Sequence, residues 1–202
     1  MNRGNTVFRY VFRLSGSSSH GLILAGKILA EAAAIYDGKN ATRWQSYGPE
    51  ARGGLSRSDV IISDGMIAYS KAVGVDLLLA FTQEACDKYR EDVRKGGIIL
   101  ADSGYVSDIP NGNYTIYSLP ITEITEKEVG EISVINIVAL GMITESTNAI
   151  SNEAMQSAIL LRIPKGIDGL YLKAFRVGAD AVQKLKHARY QLRQRPLIAP
   201  KR

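Results

Sequence analysis

The chain has 202 residues, 46% of them hydrophobic, with one cysteine and a formal charge of +5. That apolar content suffices to bury one good core and is too high for an intrinsically disordered chain. A single thiol excludes an iron–sulfur cluster, which needs several, and excludes the disulfide framework of a small secreted domain. No apolar run approaches the length that crosses a bilayer, and residues 1–6 are polar and lead into an Arg-interrupted strand pattern, unlike a signal peptide. A cytoplasmic protein is therefore expected, with no membrane segment. The positive charge is concentrated at one end. Lys184, Lys186, Arg189, Arg193, Arg195, Lys201 and Arg202 carry seven of the 25 basic residues with no acid among them, leaving 18 against 20 acids before them. A basic end after a helix is a solvated terminus or a docking arm, and no groove-reading motif accompanies it, so nucleic acid is not an expected partner. The expected organisation is one domain over residues 1–192 and a basic flexible tail over residues 193–202, where Pro196 and Pro200 break the helix.

Residues 7–14 are rich in β-branched and aromatic side chains and predict a first strand. A small-residue turn, Ser15-Gly16-Ser17-Ser18-Ser19-His20-Gly21, leads into a helix over residues 22–36. That helix is apolar nearly all round, the pattern of one buried on a sheet, and Gly38 is its C-cap candidate. Further strands are predicted at residues 41–47, 60–62, 76–81, 97–102 and 114–119; their continuous apolar runs suit a parallel sheet covered on both faces. Thr82 predicts the cap of a helix with Glu84 and Asp87 in its first turns and Arg94 and Lys95 at its end, complementing the helix dipole. Helices over residues 121–129, 132–145, 151–162 and 167–192 complete the chain, the last two separated by Pro164 and Gly166. Strand–helix alternation followed by a helical C-terminal third gives a doubly wound, Rossmann-like α/β domain with a mostly parallel sheet.

A strand, a small-residue turn and an apolar helix bring free N–H groups and a helix dipole together, an arrangement suited to an anion. A dinucleotide enzyme would read G-x-G-x-x-G here, with an acid some way on for the ribose. Only Gly16 and Gly21 are glycines, the second predicted strand holds no acid, and no Gly-Lys-Ser/Thr closes the turn, so neither NAD nor a P-loop nucleotide is supported. Cys86, beside Ala85 and Tyr89 in a helical stretch, reads as a small buried hydrophobe, Asp102 as a turn or cap residue, and His187 as solvated.

The loop after the second strand is more specific. Ser46-Tyr47-Gly48-Pro49-Glu50-Ala51-Arg52-Gly53-Gly54, followed by Ser56 and Val60-Ile61-Ile62-Ser63, resembles the gamma subunits of 2-oxoacid:ferredoxin oxidoreductases, closest to the 2-oxoglutarate type. The stretch from Gly16 to Ala32, then Gln83-Glu84-Ala85, Asp87-Lys88-Tyr89, Gly96-Gly97, Asp102-Ser103, the run from Asn136 to Gly141, Pro164-Lys165-Gly166 and Lys173-Ala174-Phe175 continue the likeness over residues 7–184. The resemblance implies a multi-subunit enzyme that converts a 2-oxoacid, coenzyme A and oxidised ferredoxin into an acyl-CoA, CO2 and reduced ferredoxin. It implies alpha, beta and ferredoxin-like partner chains that carry thiamine diphosphate and iron–sulfur clusters, and a gamma chain on the coenzyme A side with no catalytic or metal-binding residue of its own. The sequence has neither cluster cysteines nor a thiamine-diphosphate signature. Branched-chain or pyruvate-specific members, and a stand-alone nucleotide- or coenzyme A-binding module, remain the alternatives.

The residues expected to face substrate or coenzyme A are Gly16, Ser18, Ser19, His20, Gly21, Tyr47, Glu50 and Arg52. Where the family writes G-x-G-G-Q-G, this chain has Ser18-Ser19-His20. Either the turn follows a different path or serine hydroxyls replace backbone donors, and the turn is either an anion site or purely structural. His20, at a helix N-terminus, is expected to resist protonation. Arg52 can grip a phosphate or carboxylate with two parallel N–H donors, and Glu50 can orient it; the competing reading is an ion pair within the loop that only shapes it.

Overall fold

The computed structural model describes residues 8–46, 54–68, 72, 74–164 and 166–194. Six strands join one sheet: β1 (Arg9–Ser17), β2 (Asn40–Ser46), β3 (Leu55–Ser63), β4 (Val75–Ala80), β5 (Val93–Asp102) and β6 (Tyr114–Leu119), in the order β2-β3-β1-β4-β5-β6. The pairs β1–β4, β4–β5 and β5–β6 are parallel, while β3 runs antiparallel to both of its neighbours. Its reversal follows from the link behind it. Residues 47–54 are too few for the crossover that a parallel return requires, so β2 and β3 pair as a hairpin despite the apolar run in β3.

Alternation along β1 sends Phe12 and Leu14 to one face, and Val11 and Arg13 to the other. The first face is covered by α1 (Leu22–Glu31, extended by a π-helical turn, Ala32–Tyr36), α4 (Ile135–Ser146), α5 (Asn152–Arg162) and α6 (Asp168–Gln194). The second carries α2 (Gln83–Tyr89), whose Ala85 and Cys86 pack on Val11, Ile61, Leu78 and Ile99. Cys86 is fully buried there, and burial pushes its thiol pKa up, as an inert core residue requires. A short α3 (Ile121–Ile124) continues as a second π-helical turn, Thr125–Val129.

Two sequence expectations need correction. Thr82 does cap α2, its Oγ1 accepting the Ala85 N–H at 3.2 Å, but the helix closes in a 3-10 turn at Arg90–Asp92. Arg94 and Lys95 therefore lie in β5, where Arg94 pairs with Asp76 at 3.1 Å, and Lys88 is left as the basic residue of the last helical turn. The first helix is also less enclosed than its composition suggested. Gly26 lets it press on β3, since a Cβ there would stand 2.0 Å from Ser58 Oγ, yet Leu24, Ile35 and Tyr36 on its far side are exposed. Gly38 does end the helix, with φ of 64°. The last helix runs to Gln194, two residues past expectation, and the rest of the basic tail lies outside the described residues. Among the described residues no helix is long and apolar enough to cross a membrane.

Candidate functional site

Strand β1 passes to α1 through a 3-10 turn, Ser18–His20, and Gly21. Ser17 Oγ accepts the Ser19 N–H at 3.3 Å and lies 2.8 Å from Ser19 Oγ, so the serines shape the turn. Among the described residues only glycines have positive φ, so Ser18, Ser19 and His20 avoid the left-handed region and only Gly21, at 65°, enters it. The turn thus takes a path in which the departure from a glycine-rich sequence carries no steric cost. Gly21 is the N-cap of α1 and leaves the helix without a side-chain cap. The first N–H groups of α1 have no partner within the helix and remain available to an anion.

Gly16 is needed for close approach. A Cβ there would stand 2.7 Å from Phe81 Cβ and 2.9 Å from His20 Nδ1. The His20 ring stacks on Phe81 with centroids 4.5 Å apart and planes 19° from parallel, and its buried Nδ1 has no hydrogen-bond partner. Burial lowers the His20 pKa below the ordinary histidine value, against the opposing pull of Asp102. The ring is therefore neutral at pH 7, and acidification through the unfolded histidine range costs stability as an unfolded ring takes up the proton more readily. The expectation that His20 resists protonation agrees in direction, with burial as the main cause. Gly16→Ala should lower stability by about 1–3 kcal/mol through overpacking against Phe81. A melting temperature equal to the parent's would contradict the close-approach account.

The turn sits at the carboxyl ends of β1 and β4, the point from which α1 leaves on one face of the sheet and α2 on the other. Open α/β sheets place ligands at this switch point. Three other groups converge there. Asn136, 5% exposed at the start of α4, donates from Nδ2 to the Gly21 carbonyl at 3.4 Å. Asp102 is fully buried and accepts the N–H groups of Gly104, Ile121 and Thr122 at 3.0–3.1 Å, so it caps the next helix as expected. Arg43 of β2 extends a half-buried guanidinium towards the Ile23 carbonyl in the first turn of α1, 3.5 Å away, and to Gln45. Sequence reasoning gave Asn136 and Arg43 no role. The available signals were one amide opening an apolar helix and one guanidinium on the face of β2 turned to α1.

Tyr47, Glu50 and Arg52 lie outside the described residues. The strands before and after them, β2 and β3, respectively end and begin at that end of the sheet. Ser46 pairs with Arg57, and Leu55, where β3 begins, pairs with Ser17 of the turn. His187 is exposed on α6, as expected. Among the described residues no three His, Cys, Asp or Glu side chains gather as metal ligands, and the one cysteine is enclosed in the α2-side core. The donor set does not fit an iron–sulfur cluster.

The chain matches the family described as pyruvate ferredoxin/flavodoxin oxidoreductase over residues 11–181. It belongs to this family. Within the family it is 44% identical over 187 residues to the 2-oxoglutarate synthase subunit KorC of Methanocaldococcus jannaschii, covering 92% of this chain and 100% of the relative. The gamma subunit of a keto/oxoacid ferredoxin oxidoreductase from Geobacter sulfurreducens superposes with a TM-score of 0.81 at 47% identity, covering 88% of this chain and 98% of that one. The 2-oxoglutarate:ferredoxin oxidoreductase of Magnetococcus marinus, solved with 2-oxoglutarate, coenzyme A and succinyl-CoA bound, shares the fold at TM-score 0.78 and 21% identity, over 87% of this chain and 31% of that chain. The gamma-subunit resemblance read from the sequence is borne out.

Proposed function

We propose that this chain is the non-redox subunit of a multi-subunit 2-oxoglutarate:ferredoxin oxidoreductase and forms part of the site that receives coenzyme A. The observation that carries the reading is the register pairing Ser17 with Leu55, which sets the start of β3, the strand that follows Tyr47, Glu50 and Arg52 in the sequence, beside the Gly16–Gly21 turn at the sheet's switch point. Phosphate groups suit that crevice. The uncapped start of α1 offers N–H donors, Arg43 adds a cation, and Asp102 spends its carboxylate on backbone donors. Partner chains supply thiamine diphosphate and the iron–sulfur clusters and pass electrons to ferredoxin; this chain's part is to bind and orient.

The exposed faces support a subunit over a stand-alone module. Leu24, Ile35 and Tyr36 of the first helix and its extension, with Leu160 and Leu161 of α5, present apolar surface of the kind a partner covers. Residues 1–192 act as one domain in this reading, and the basic tail of residues 193–202 docks on an acidic partner surface in the cytoplasm.

Arg52 provides the test. Its loop holds Gly48, Pro49, Gly53 and Gly54, residue types that serve backbone turns, and the guanidinium is assigned to a ligand in this reading. Arg52→Lys keeps the charge and removes the bidentate fork, and should lower kcat/KM of the assembled complex for one substrate about 10- to 100-fold, with assembly and melting unchanged. Parent-like kinetics in the assembled variant would remove Arg52 from the site. A large fall in melting temperature would show instead that it holds the loop together.

A further inference from the structure

A second cleft, of about 240 Å³, opens on the α2 side of the sheet and plays no part in the site above; Arg13, Trp44, Arg57, Asp59 and Ala72 line it. The strand register builds it. Trp44 of β2 and Arg13 of β1 both pair with Asp59 of β3, and Arg57 stands two residues along β3 on the same face. The Arg57 guanidinium lies 4.7 Å from the centroid of Trp44 and 5.4 Å from that of Tyr89, so both rings hold it.

Its hydrogen bonding is incomplete. Arg57 Nε is buried without a hydrogen-bond partner, and the nearest carboxylate oxygen, Asp59 Oδ2, is 3.6 Å away. Both Asp59 oxygens already serve Arg13, at 2.8 and 3.1 Å, and Arg13 also takes Asp92. Among the described residues that line the cleft, Arg13 and Arg57 are the cations and Asp59 is the acid, with Asp92 pairing Arg13 from outside the lining. Arg13 therefore takes both acids, and Arg57 keeps only the longer approach to Asp59. A partly buried guanidinium held by rings, with its enclosed Nε unpartnered, is prepared for an anion. Trp44 is still 49% exposed although Arg57 covers one of its faces, which leaves indole surface for a flat ring.

We propose that this cleft binds a phosphorylated nucleotide, Arg57 taking the phosphate and the open surface of Trp44 stacking the base. The cleft opens on the face of the sheet opposite α1 and does not include the first turn, and its test reads binding to this chain alone, whereas the function proposed above is tested by turnover of the assembled complex. A free adenine nucleotide and the nucleotide end of coenzyme A offer the same chemistry. Trp44 is the only tryptophan in the chain, and its fluorescence therefore reports on this cleft directly.

The experiment titrates the purified full chain, following tryptophan emission, with ADP, adenosine 3′,5′-bisphosphate, coenzyme A, adenosine and inorganic phosphate. Saturable quenching is expected with the phosphorylated nucleotides, with adenosine at least about tenfold weaker, since it lacks the charge-assisted contact. Tighter binding of coenzyme A and the bisphosphate than of ADP would assign the source to coenzyme A; equal binding would assign it to free nucleotide. Arg57→Gln and Arg57→Lys should each weaken binding about tenfold or more while the circular dichroism spectrum is unchanged. Absence of saturable quenching in the parent chain would overturn the proposal. Inorganic phosphate binding as tightly as the nucleotides would overturn the stacking half of it.

Discussion

Gly178→Val is expected to prevent stable folding, and Gly178→Ala to cost about 2–4 kcal/mol, at or above the upper end of ordinary overpacking. A Cβ at Gly178 of α6 would stand 1.9 Å from the Val138 carbonyl oxygen and 2.8 Å from its carbon, and one at Gly141 of α4 would stand 2.0 Å from the Phe175 carbonyl oxygen. The obstacles are backbone atoms, which cannot rotate away as a side chain could. The two helices cross backbone to backbone, each glycine under a carbonyl of the other, and an added methyl must force them apart. Separation would open the contacts of Val138, Met142, Phe175 and Val182, none more than 2% exposed. Alanine's better helix propensity returns about 1 kcal/mol, too little to offset this. Gly169, also in α6, has nothing within 4 Å of its would-be Cβ, so Gly169→Ala should be neutral or stabilising by up to about 1 kcal/mol. Urea denaturation of the three variants decides the matter; equal midpoints for Gly178→Ala and Gly169→Ala would refute the crossing argument.

The Gly141–Gly178 crossing shows what the sequence hides. Glycine in a helix pattern reads as a weakness, and nothing local says that a carbonyl from a helix far along the chain lies above it. By contrast, all six strands and the C-terminal helices were legible, because apolar runs and a cap such as Thr82 are local signals, and the Thr82 hydroxyl does accept the Ala85 N–H. The antiparallel sense of β3 was missed, although the short link before it implied a hairpin. Arg94 and Lys95 were assigned to a helix end by charge alone, when β5 began earlier. At the site, Gly16 and Gly21 carried their own signal. Arg43, Asn136 and the Arg13–Asp59 pair did not, since their partners lie between 20 and 115 residues away and only the folded register brings them together. The exposed side of α1 was misread as buried because apolar composition alone does not say which face of a helix turns to the sheet.

Removing Asp59 is expected to destabilise the chain by about 3–5 kcal/mol, the range for breaking a buried ion pair. Asp59 and Arg13 are 3% and 4% exposed, and the guanidinium meets both carboxylate oxygens. Burial alone would lower the Arg13 pKa, but hydrogen bonds and charge from Asp59, with Asp92 behind it, raise it, so the guanidinium remains charged in the folded state. Asp59→Ala leaves that charge enclosed with only Asp92, whose side chain is half exposed and screened by water. The cost lies in the stranded partner more than in the lost attraction. It follows that Arg13→Met with Asp59→Leu, which removes both charges and refills the space, should be much closer to the parent, within about 1–2 kcal/mol. Single variants losing 3 kcal/mol or more beside a near-neutral double variant would give a coupling energy that only a desolvated pair produces. Additive losses would mean that water reaches the pair. The double variant also keeps Arg57 and Trp44 while emptying the floor of the cleft of charge, so its affinity for a phosphorylated nucleotide should fall less than that of Arg57→Gln. A drop equal to that of Arg57→Gln would move the anion contact from Arg57 to Arg13.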